Sequence, residues 1–217
     1  MGLKITAAKI GGNGRRLCLA RNEKGEKYLL EALELAISPK ERFFLEFLHD
    51  LREMIRRLPA SPGGSLLTYL GVERVGEDYY LVLPFQREVW EYWPRLGAAD
   101  LTLKEVVGAG EAMGEALRFF GEQGEYPQGF FYMDLIPLGA GKTCVLDPRV
   151  QAMLAPYREG EELRVAFLPP EIIEDAQWDE KANLYTIGLT MYYLATGVYH
   201  LVIAGKNERV VLNISKQ

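Results

Sequence analysis

The chain has 217 residues, of which 48% are hydrophobic and 25% are charged. This is the composition of an ordinary globular protein, which can bury a sizeable core without the help of metals or disulfides. The formal net charge of −5 argues against nucleic acid as the main partner, because a phosphate backbone attracts a basic surface.

No stretch of the sequence approaches the roughly 20 apolar residues of a membrane-spanning helix, and the first residues lack the unbroken apolar core of a signal peptide. The two cysteines, Cys18 and Cys144, lie in apolar stretches and have no metal-ligand spacing. We therefore expect a cytoplasmic protein with buried free thiols, no metal site and no membrane contact.

The first part of the chain is typical of β-strands joined by turns. Apolar runs cover residues 4–10, 17–21 and 28–35, and they are separated by GGNG at 11–14 and NEKGEK at 22–27. Turns rich in glycine and asparagine between such runs predict hairpins.

A helix is predicted next along the chain. Ser38 provides an N-cap, and Glu41 lies three residues after it. The apolar positions that follow have the i, i+3, i+4 spacing of one helical face: Phe44, Phe47, Leu48, Leu51, Ile55 and Leu58. Pro59 ends this helix, and two more strands are predicted over residues 66–75 and 79–85.

The second part of the chain is richer in helices. Residues 104–120 and 183–196 carry apolar side chains at helical spacing, and Gly197 terminates the second of these helices. Two short apolar runs that end in Asp, residues 130–134 and 143–147, lie between them.

The change from strand-rich to helix-rich sequence falls near Gln86. It predicts an α+β fold in two parts, residues 1–86 and residues 87–217. Two further runs rich in β-branched residues, 199–203 and 209–214, follow the last predicted helix.

Several motifs are similar to those of the protein-kinase family, in the family's order and at compatible distances. PPE at 169–171 resembles the A-P-E element, and NLYTIG at 183–188 resembles the D-x-W-S-x-G start of the family's central helix. YYLVLPF at 79–85 resembles the strand that enters the hinge, YMDLIP at 132–137 the H-R-D-L-K-P catalytic loop, and VLDPR at 145–149 the strand ending in D-F-G. Over most of its length, the chain resembles a degenerate Ser/Thr kinase of the bacterial type.

The resemblance implies a two-lobed fold with a β-rich N-lobe, residues 1–86, and a helical C-lobe, residues 87–217. The C-lobe would be reduced or truncated, because the family adds several more helices after its central one. Asn183 stands where the family has an aspartate at the start of that helix, and its side chain can still accept hydrogen bonds from the catalytic loop.

The pair of residues that holds the phosphates in the family is altered. A kinase uses a lysine on its third strand and a glutamate on its helix to position ATP. In this chain Glu31 stands at the lysine position and Glu46 at the glutamate position, which implies a site that repels phosphate. Two facing carboxylates would repel each other, bind water or a cation, or stay apart.

The glycine-rich loop of the family is degenerate as well. Gly11, Gly12 and Gly14 do not follow the G-x-G-x-x-G spacing, and Arg15 and Arg16 come directly after them. A glycine cluster of this kind is typical of a hairpin turn. The alternative is an anion-binding loop that uses the two arginines.

Two aspartates remain as relics of the catalytic machinery. Asp134 stands at the position of the catalytic base and Asp147 at that of the metal-binding aspartate, but Pro148 and Arg149 replace the Phe-Gly of D-F-G. The metal-binding asparagine of the family has no counterpart. The alternative to a catalytic origin is that both carboxylates cap loops. GAGKT at 139–143 resembles the end of a P-loop, but it lacks the first glycine and precedes a strand where a helix must begin.

These losses predict a catalytically inactive pseudokinase, a scaffolding or regulatory module whose partner is another protein. We expect no catalytic residue and no cofactor, neither ATP nor magnesium. The first alternative is an atypical active Ser/Thr kinase that uses ATP and magnesium, with Asp134 as base and Asp147 on the metal. Lys9 or Lys27 would then have to reach the phosphates. The second alternative is the cytosolic part of a membrane-anchored assembly.

An aromatic cluster just after the predicted hinge is a candidate interface. It consists of Trp90, Tyr92 and Trp93. Exposed aromatic residues are frequent hot spots of protein–protein binding. The alternative is that these side chains pack in the core or between the lobes.

Overall fold

The computed structural model describes residues 2–36, 42–59, 64–158, 164, 166–173 and 177–198, together with the backbone of 201–204 and 209–212. Over these ranges the protein has a mixed α+β fold, as the sequence predicted. None of the helices described is long and apolar enough to cross a bilayer.

The N-terminal half forms a five-stranded antiparallel sheet with one short strand outside it. The strands in chain order are β1 (Lys4–Ile10), β2 (Arg16–Arg21), β3 (Lys27–Ala32), β4 (Leu66–Leu67), β5 (Gly71–Val75) and β6 (Asp78–Pro84). The order in the sheet is β1-β2-β3-β6-β5, which places β3 in the centre. The predicted hairpins β1–β2 and β2–β3 are confirmed.

Helix α1 (Arg42–Arg57) packs on this sheet through one face. Its buried side chains are five of the six predicted from helical spacing: Phe44, Phe47, Leu48, Leu51 and Ile55. The predicted N-terminal cap at Ser38 and Glu41 lies outside the described residues.

The predicted strand over residues 66–75 is wrong as a single element. β4 leaves the five-stranded sheet and pairs in parallel with β8 (Lys142–Leu146), which also pairs with β7 (Leu135–Gly139) in a three-stranded sheet. The chain then returns to the first sheet as β5. The GAGKT segment forms the tight turn of the β7–β8 hairpin and the start of β8, so it is not a P-loop; both Gly139 and Gly141 have positive φ.

The remaining elements are mainly helical. Helices α2 (Arg87–Tyr92), α3 (Leu103–Gly121), α4 (Pro148–Leu154), α5 (Pro170–Ile173) and α6 (Glu180–Thr196) are followed by the antiparallel pair β9 (Leu201–Ala204) and β10 (Arg209–Leu212). Gly197 ends α6 with a φ of 72°, as predicted, because this left-handed conformation favours glycine.

Two glycines on α3 allow close packing of its neighbours. A Cβ atom on Gly108 would lie 1.7 Å from the carbonyl oxygen of Gly141, and one on Gly110 would lie 2.6 Å from Met191 Sδ. The β7–β8 turn and α6 can therefore approach the backbone of α3 directly.

The largest apolar cluster joins both parts of the chain. It contains Leu29 and Leu81 from the five-stranded sheet together with Trp93, Ile136 and Leu146 from the second part. The division at Gln86 stays a prediction from sequence.

Candidate functional site

A cluster of buried charged and polar side chains lies between the N-terminal sheet and the second part of the chain. We call it the charged cluster; its members are Arg15, Glu31, Tyr69, Asp134, Gln151, Arg158 and Arg164. Burying charged groups is costly unless they are paired and hydrogen-bonded. The partners of each carboxylate therefore decide what the cluster can do.

Glu31 is fully buried on the central strand β3 and has a partner at each carboxylate oxygen. Its Oε1 accepts a hydrogen bond from Arg158 Nη2 at 2.8 Å, and Arg15 Nη1 lies 3.9 Å away. Its Oε2 accepts a hydrogen bond from the hydroxyl of Tyr69 at 2.6 Å. Burial, and then the adjacent Glu31, raises the pKa of Tyr69 well above its ordinary value, so the hydroxyl stays protonated and donates.

Asp134 is likewise buried and paired. Its Oδ1 accepts from Arg15 Nη2 at 2.9 Å, and its Oδ2 accepts from Arg164 Nη2 at 2.7 Å. Burial alone would raise the pKa of Asp134, but the charges of Arg164 and Arg15 outweigh it and lower the pKa. The carboxylate is therefore held ionised between two guanidinium groups.

Gln151, on α4, connects the two acidic centres of the cluster. Its Oε1 accepts hydrogen bonds from Arg15 Nη1 at 3.1 Å and from Arg158 Nη1 at 2.6 Å. Its Nε2 donates to the Tyr69 hydroxyl at 2.5 Å. The side chains of Gln151, Arg15, Arg158 and Tyr69 thus form one hydrogen-bond network. Removing one of them leaves polar groups of the others without a partner.

The glycine hairpin between β1 and β2 closes over the cluster. Asn13 Nδ2 donates to the carbonyl of Met133 at 3.0 Å, and Trp93 Nε1 donates to the carbonyl of Arg15 at 3.0 Å. A Cβ atom on Gly12 would lie 3.0 Å from the carbonyl oxygen of Leu96. The glycines thus form a hairpin turn that packs against the second part of the chain and inserts Arg15 into the cluster.

Asp147 is used as a helix cap. Its Oδ1 accepts hydrogen bonds from the backbone N–H and the Nε of Arg149, both at 3.0 Å, and its Oδ2 accepts from Arg149 Nη2 at 2.8 Å. The carboxylate is fully buried at the N-terminus of α4. This is the geometry expected if Asp147 caps a loop or helix, which was the alternative to a catalytic origin.

Glu46 does not have the role that its position in the sequence suggested. It is exposed on α1 and pairs with Arg42 one turn earlier, at 2.9 Å. Glu31 instead pairs with arginines of the charged cluster. The two carboxylates therefore stay apart.

The three residues of the aromatic cluster, Trp90, Tyr92 and Trp93, are buried to different extents. Trp93 is completely buried and belongs to the largest apolar cluster, because its indole fills the space beneath the glycine hairpin. Trp90 and Tyr92 are partly buried against the same cluster. This segment therefore packs mainly within the protein.

The two lysines considered as phosphate ligands have other contacts. Lys9 Nζ donates to the carbonyl of Trp90 at 2.9 Å and lies 4.8 Å from the centroid of its ring. Lys27 Nζ lies 5.0 Å from the centroid of the Phe85 ring.

Polar side chains on α6 hold the loop that leads to Asp134. Asn183 Oδ1 accepts from the N–H of Gly129 at 3.2 Å, and its Nδ2 donates to the carbonyl of Pro127 at 3.0 Å. Thr186 Oγ1 accepts from the N–H of Phe130 at 3.1 Å. Asn183 thus hydrogen-bonds residues 127 and 129, a few positions before Asp134.

Sequence reasoning missed four members of the cluster: Tyr69, Gln151, Arg158 and Arg164. One signal was present, because a glutamate inside the apolar strand LLEAL requires a buried cation. Nothing in the sequence indicated which arginine would supply it. Arg158 and Arg164 lie far along the chain, outside any motif.

In the part of the chain that the structure covers, no group of three or more His, Cys, Asp and Glu side chains could hold a metal ion. Both cysteines are buried free thiols, as predicted. No known protein family matches this sequence, and no curated protein matches it either.

Proposed function

We propose that this chain is a catalytically inactive pseudokinase with a two-lobed, kinase-like fold, and that it acts by binding another protein. The observation that carries the proposal is the charged cluster. The acid at the lysine position and the acid at the catalytic position both have arginine partners from this same chain.

Phosphoryl transfer requires cations that hold a triphosphate and its metal ions, together with a base that accepts the substrate proton. Glu31 would repel the phosphates that a lysine would bind. The arginines beside it already bind carboxylates: Arg158 binds Glu31, and Arg15 binds Asp134. A nucleotide would have to break these buried ion pairs and would leave the carboxylates desolvated and unpaired.

The state of the two relic aspartates also favours an inactive protein. Each oxygen of Asp134 accepts a hydrogen bond from a guanidinium group, which opposes proton uptake from a substrate. Asp147 is engaged by the backbone and side chain of Arg149. A metal ion at Asp147 would compete with that buried pair.

Two features support the kinase-like fold in particular. The five-stranded sheet takes three strands from before α1 and two from after it, which agrees with the order of three strands, one helix and two strands that the resemblance implies. Asn183 on α6 hydrogen-bonds residues 127 and 129, which lead into the segment 132–137 that resembles the catalytic loop.

Binding of magnesium ATP tests the proposal. A ligand present at a hundred times its Kd stabilises the folded state by about 2.7 kcal/mol, which raises the Tm of a protein of this size by several degrees. We expect 1 mM ATP with magnesium to shift the Tm by less than about 1 °C. A gain of several degrees would contradict the proposal, and transfer of labelled phosphate that is lost in Asp147→Ala would establish the active-kinase alternative.

A further inference from the structure

The glycine hairpin, residues 10–15 between β1 and β2, reaches from the N-terminal sheet to the second part of the chain. Asn13 Nδ2 donates to the carbonyl of Met133, and the carbonyl of Arg15 accepts from Trp93 Nε1, both at 3.0 Å. When such groups separate, each can bond to water instead, so the net free energy of each hydrogen bond is small. These two bonds therefore hold the hairpin without preventing it from moving.

The glycine hairpin buries little apolar surface of its own. Its sequence is IGGNGR, in which Ile10 is the only large apolar side chain, and Ile10 is 56% exposed. A Cβ atom on Gly14 would have no neighbour within 4 Å, so this part of the turn is not packed. The chief apolar cost of moving the hairpin is the exposure of one edge of Trp93, which is otherwise buried. Segments with few buried apolar contacts open at a lower free energy than the core.

The side chain of Arg15 fastens the hairpin over the charged cluster. It is 10% exposed, and its Nη2 donates to Asp134 Oδ1 at 2.9 Å. Its Nη1 donates to Gln151 Oε1 at 3.1 Å and lies 3.9 Å from Glu31 Oε1. One guanidinium group thus connects the hairpin to both acidic centres of the cluster.

Arg15 differs from the other members of the network, because each of its described acceptors has a second donor. The pairs are Asp134 with Arg164, Glu31 with Arg158, and Gln151 with Arg158. Withdrawal of Arg15 would therefore leave neither carboxylate without a cation, which is the outcome that makes the loss of a buried ion pair costly. It would also relieve a repulsion, since burial and then the charge of Arg15 lower the pKa of Arg158.

We propose that the glycine hairpin is a strap that opens while the rest of the fold stays intact, and that Arg15 is its releasable fastening. In the open state the Arg15 side chain would be hydrated, while Glu31 and Asp134 would keep their second partners. Solvent and small solutes would then reach the charged cluster. The strap would work in the same way whether or not the cleft binds a nucleotide, so it goes beyond the proposed function.

Hydrogen exchange of the Trp93 indole N–H reports opening directly, because its acceptor is the carbonyl of Arg15. The chain has three tryptophans, so the NMR signal of Trp93 can be assigned by elimination with Trp90→Phe and Trp178→Phe. In the full chain we expect this N–H to be about tenfold or more less protected than the slowest amides of β3 and β6. Its exchange should also depend little on urea below about 1 M, because a local opening exposes little surface. Equal protection and equal urea dependence for the indole and those amides would overturn the proposal.

Two neighbouring arginines provide a variant and its control. Arg16 follows Arg15 directly, but its side chain is 35% exposed and lies 3.1 Å from Glu34 and 3.6 Å from Asp78. Arg15→Met should speed exchange of the Trp93 indole N–H about tenfold, because it removes the charged hydrogen bonds of the fastening. Arg16→Met should change this rate less than about twofold. No effect of Arg15→Met, or equal effects of the two variants, would overturn the role of Arg15.

A pair of asparagine variants tests the strap without changing a charge. Asn13→Ala removes the donor to the Met133 carbonyl and should speed exchange of the Trp93 indole N–H about threefold. The control is Asn22→Ala, in the next turn, where the Asn22 side chain accepts from the N–H groups of Lys24 and Glu26. It should leave the indole rate unchanged, and equal rates in the two asparagine variants would contradict the strap. Circular dichroism shows whether each variant is folded.

Discussion

Removing the carboxylate of Glu31 is expected to destabilise the protein strongly. The side chain of Arg158 is 6% exposed, and in Glu31→Ala its guanidinium group would lose its carboxylate partner while remaining buried. The Tyr69 hydroxyl would lose its acceptor in the same variant. Leaving one member of a buried ion pair unpaired costs about 3–5 kcal/mol, a large share of the 5–15 kcal/mol that stabilises a typical domain. Urea unfolding followed by circular dichroism measures this difference.

Glu34→Ala is the matched control for Glu31→Ala. Glu34 also pairs with an arginine, Arg16, at 3.1 Å, but its side chain is 56% exposed. Exposed ion pairs contribute about 0–1 kcal/mol, so the control should change the free energy of unfolding by no more than that.

A double variant tests whether the cost arises from the unpaired charge. Glu31→Ala combined with Arg158→Met should be less destabilised than the sum of the single variants, because it leaves no isolated guanidinium group. If Glu31→Ala costs less than about 1 kcal/mol, or if the double variant is additive, the charged cluster does not stabilise the fold through these buried ion pairs.

Three other outcomes are expected. Gly108→Ala should cost several kcal/mol in the free energy of unfolding, because its Cβ would meet the backbone of Gly141. The control Gly114→Ala, on the same helix with no neighbour within 4 Å, should instead stabilise the protein by up to about 1 kcal/mol. Equal effects of the two variants would contradict the close packing at Gly108. Arg95 lowers the pKa of Glu105 to about 2, so Glu105 stabilises the fold above about pH 4.5 and loses this effect as the pH falls towards 2. The loss of unfolding free energy in Glu105→Gln should therefore shrink over that pH range. A loss that grows on acidification would contradict the lowered pKa. Burial raises the pKa of Cys144 to about 11, so Ellman's reagent should react with this thiol only after unfolding, and rapid reaction with the native protein would contradict its burial.

Local sequence patterns were sufficient to predict several helices and strands. The spacing of Phe44, Leu48 and Leu51 predicted α1, and the glycine after the last helical residue predicted the end of α6. These signals depend on residues within one or two turns of each other, so no tertiary information is needed.

Tertiary contacts decided the features that sequence reasoning missed. The sequence pattern predicted one strand over residues 66–75, but Leu66 and Leu67 pair with β8 and are thereby separated from β5. Trp93 is buried because the glycine hairpin folds over it, a contact across about 80 residues of chain. Periodicity within a segment contains no information about such pairings.

The charged cluster was predictable only in part. Glu31 and Asp134 were singled out because they stand at functional positions of segments that resemble kinase motifs. Their partners Arg158 and Arg164 belong to no motif, and their approach depends on how α4 and the residues after it fold back on the sheet. The sequence therefore singled out these two acids but not the arginines that pair with them.

The short strand β4 has a consequence for how the gene could be divided or recombined. Leu66 and Leu67 belong by sequence to the first 86 residues, yet their hydrogen-bonding partner is β8, which begins at Lys142. A fragment that stops at Gln86 would expose this dipeptide along with the apolar surface that Trp93 and Leu146 cover. The N-terminal sheet should therefore aggregate or remain unfolded when expressed alone, and exchanging it between homologues would require the β7–β8 hairpin to be transferred with it.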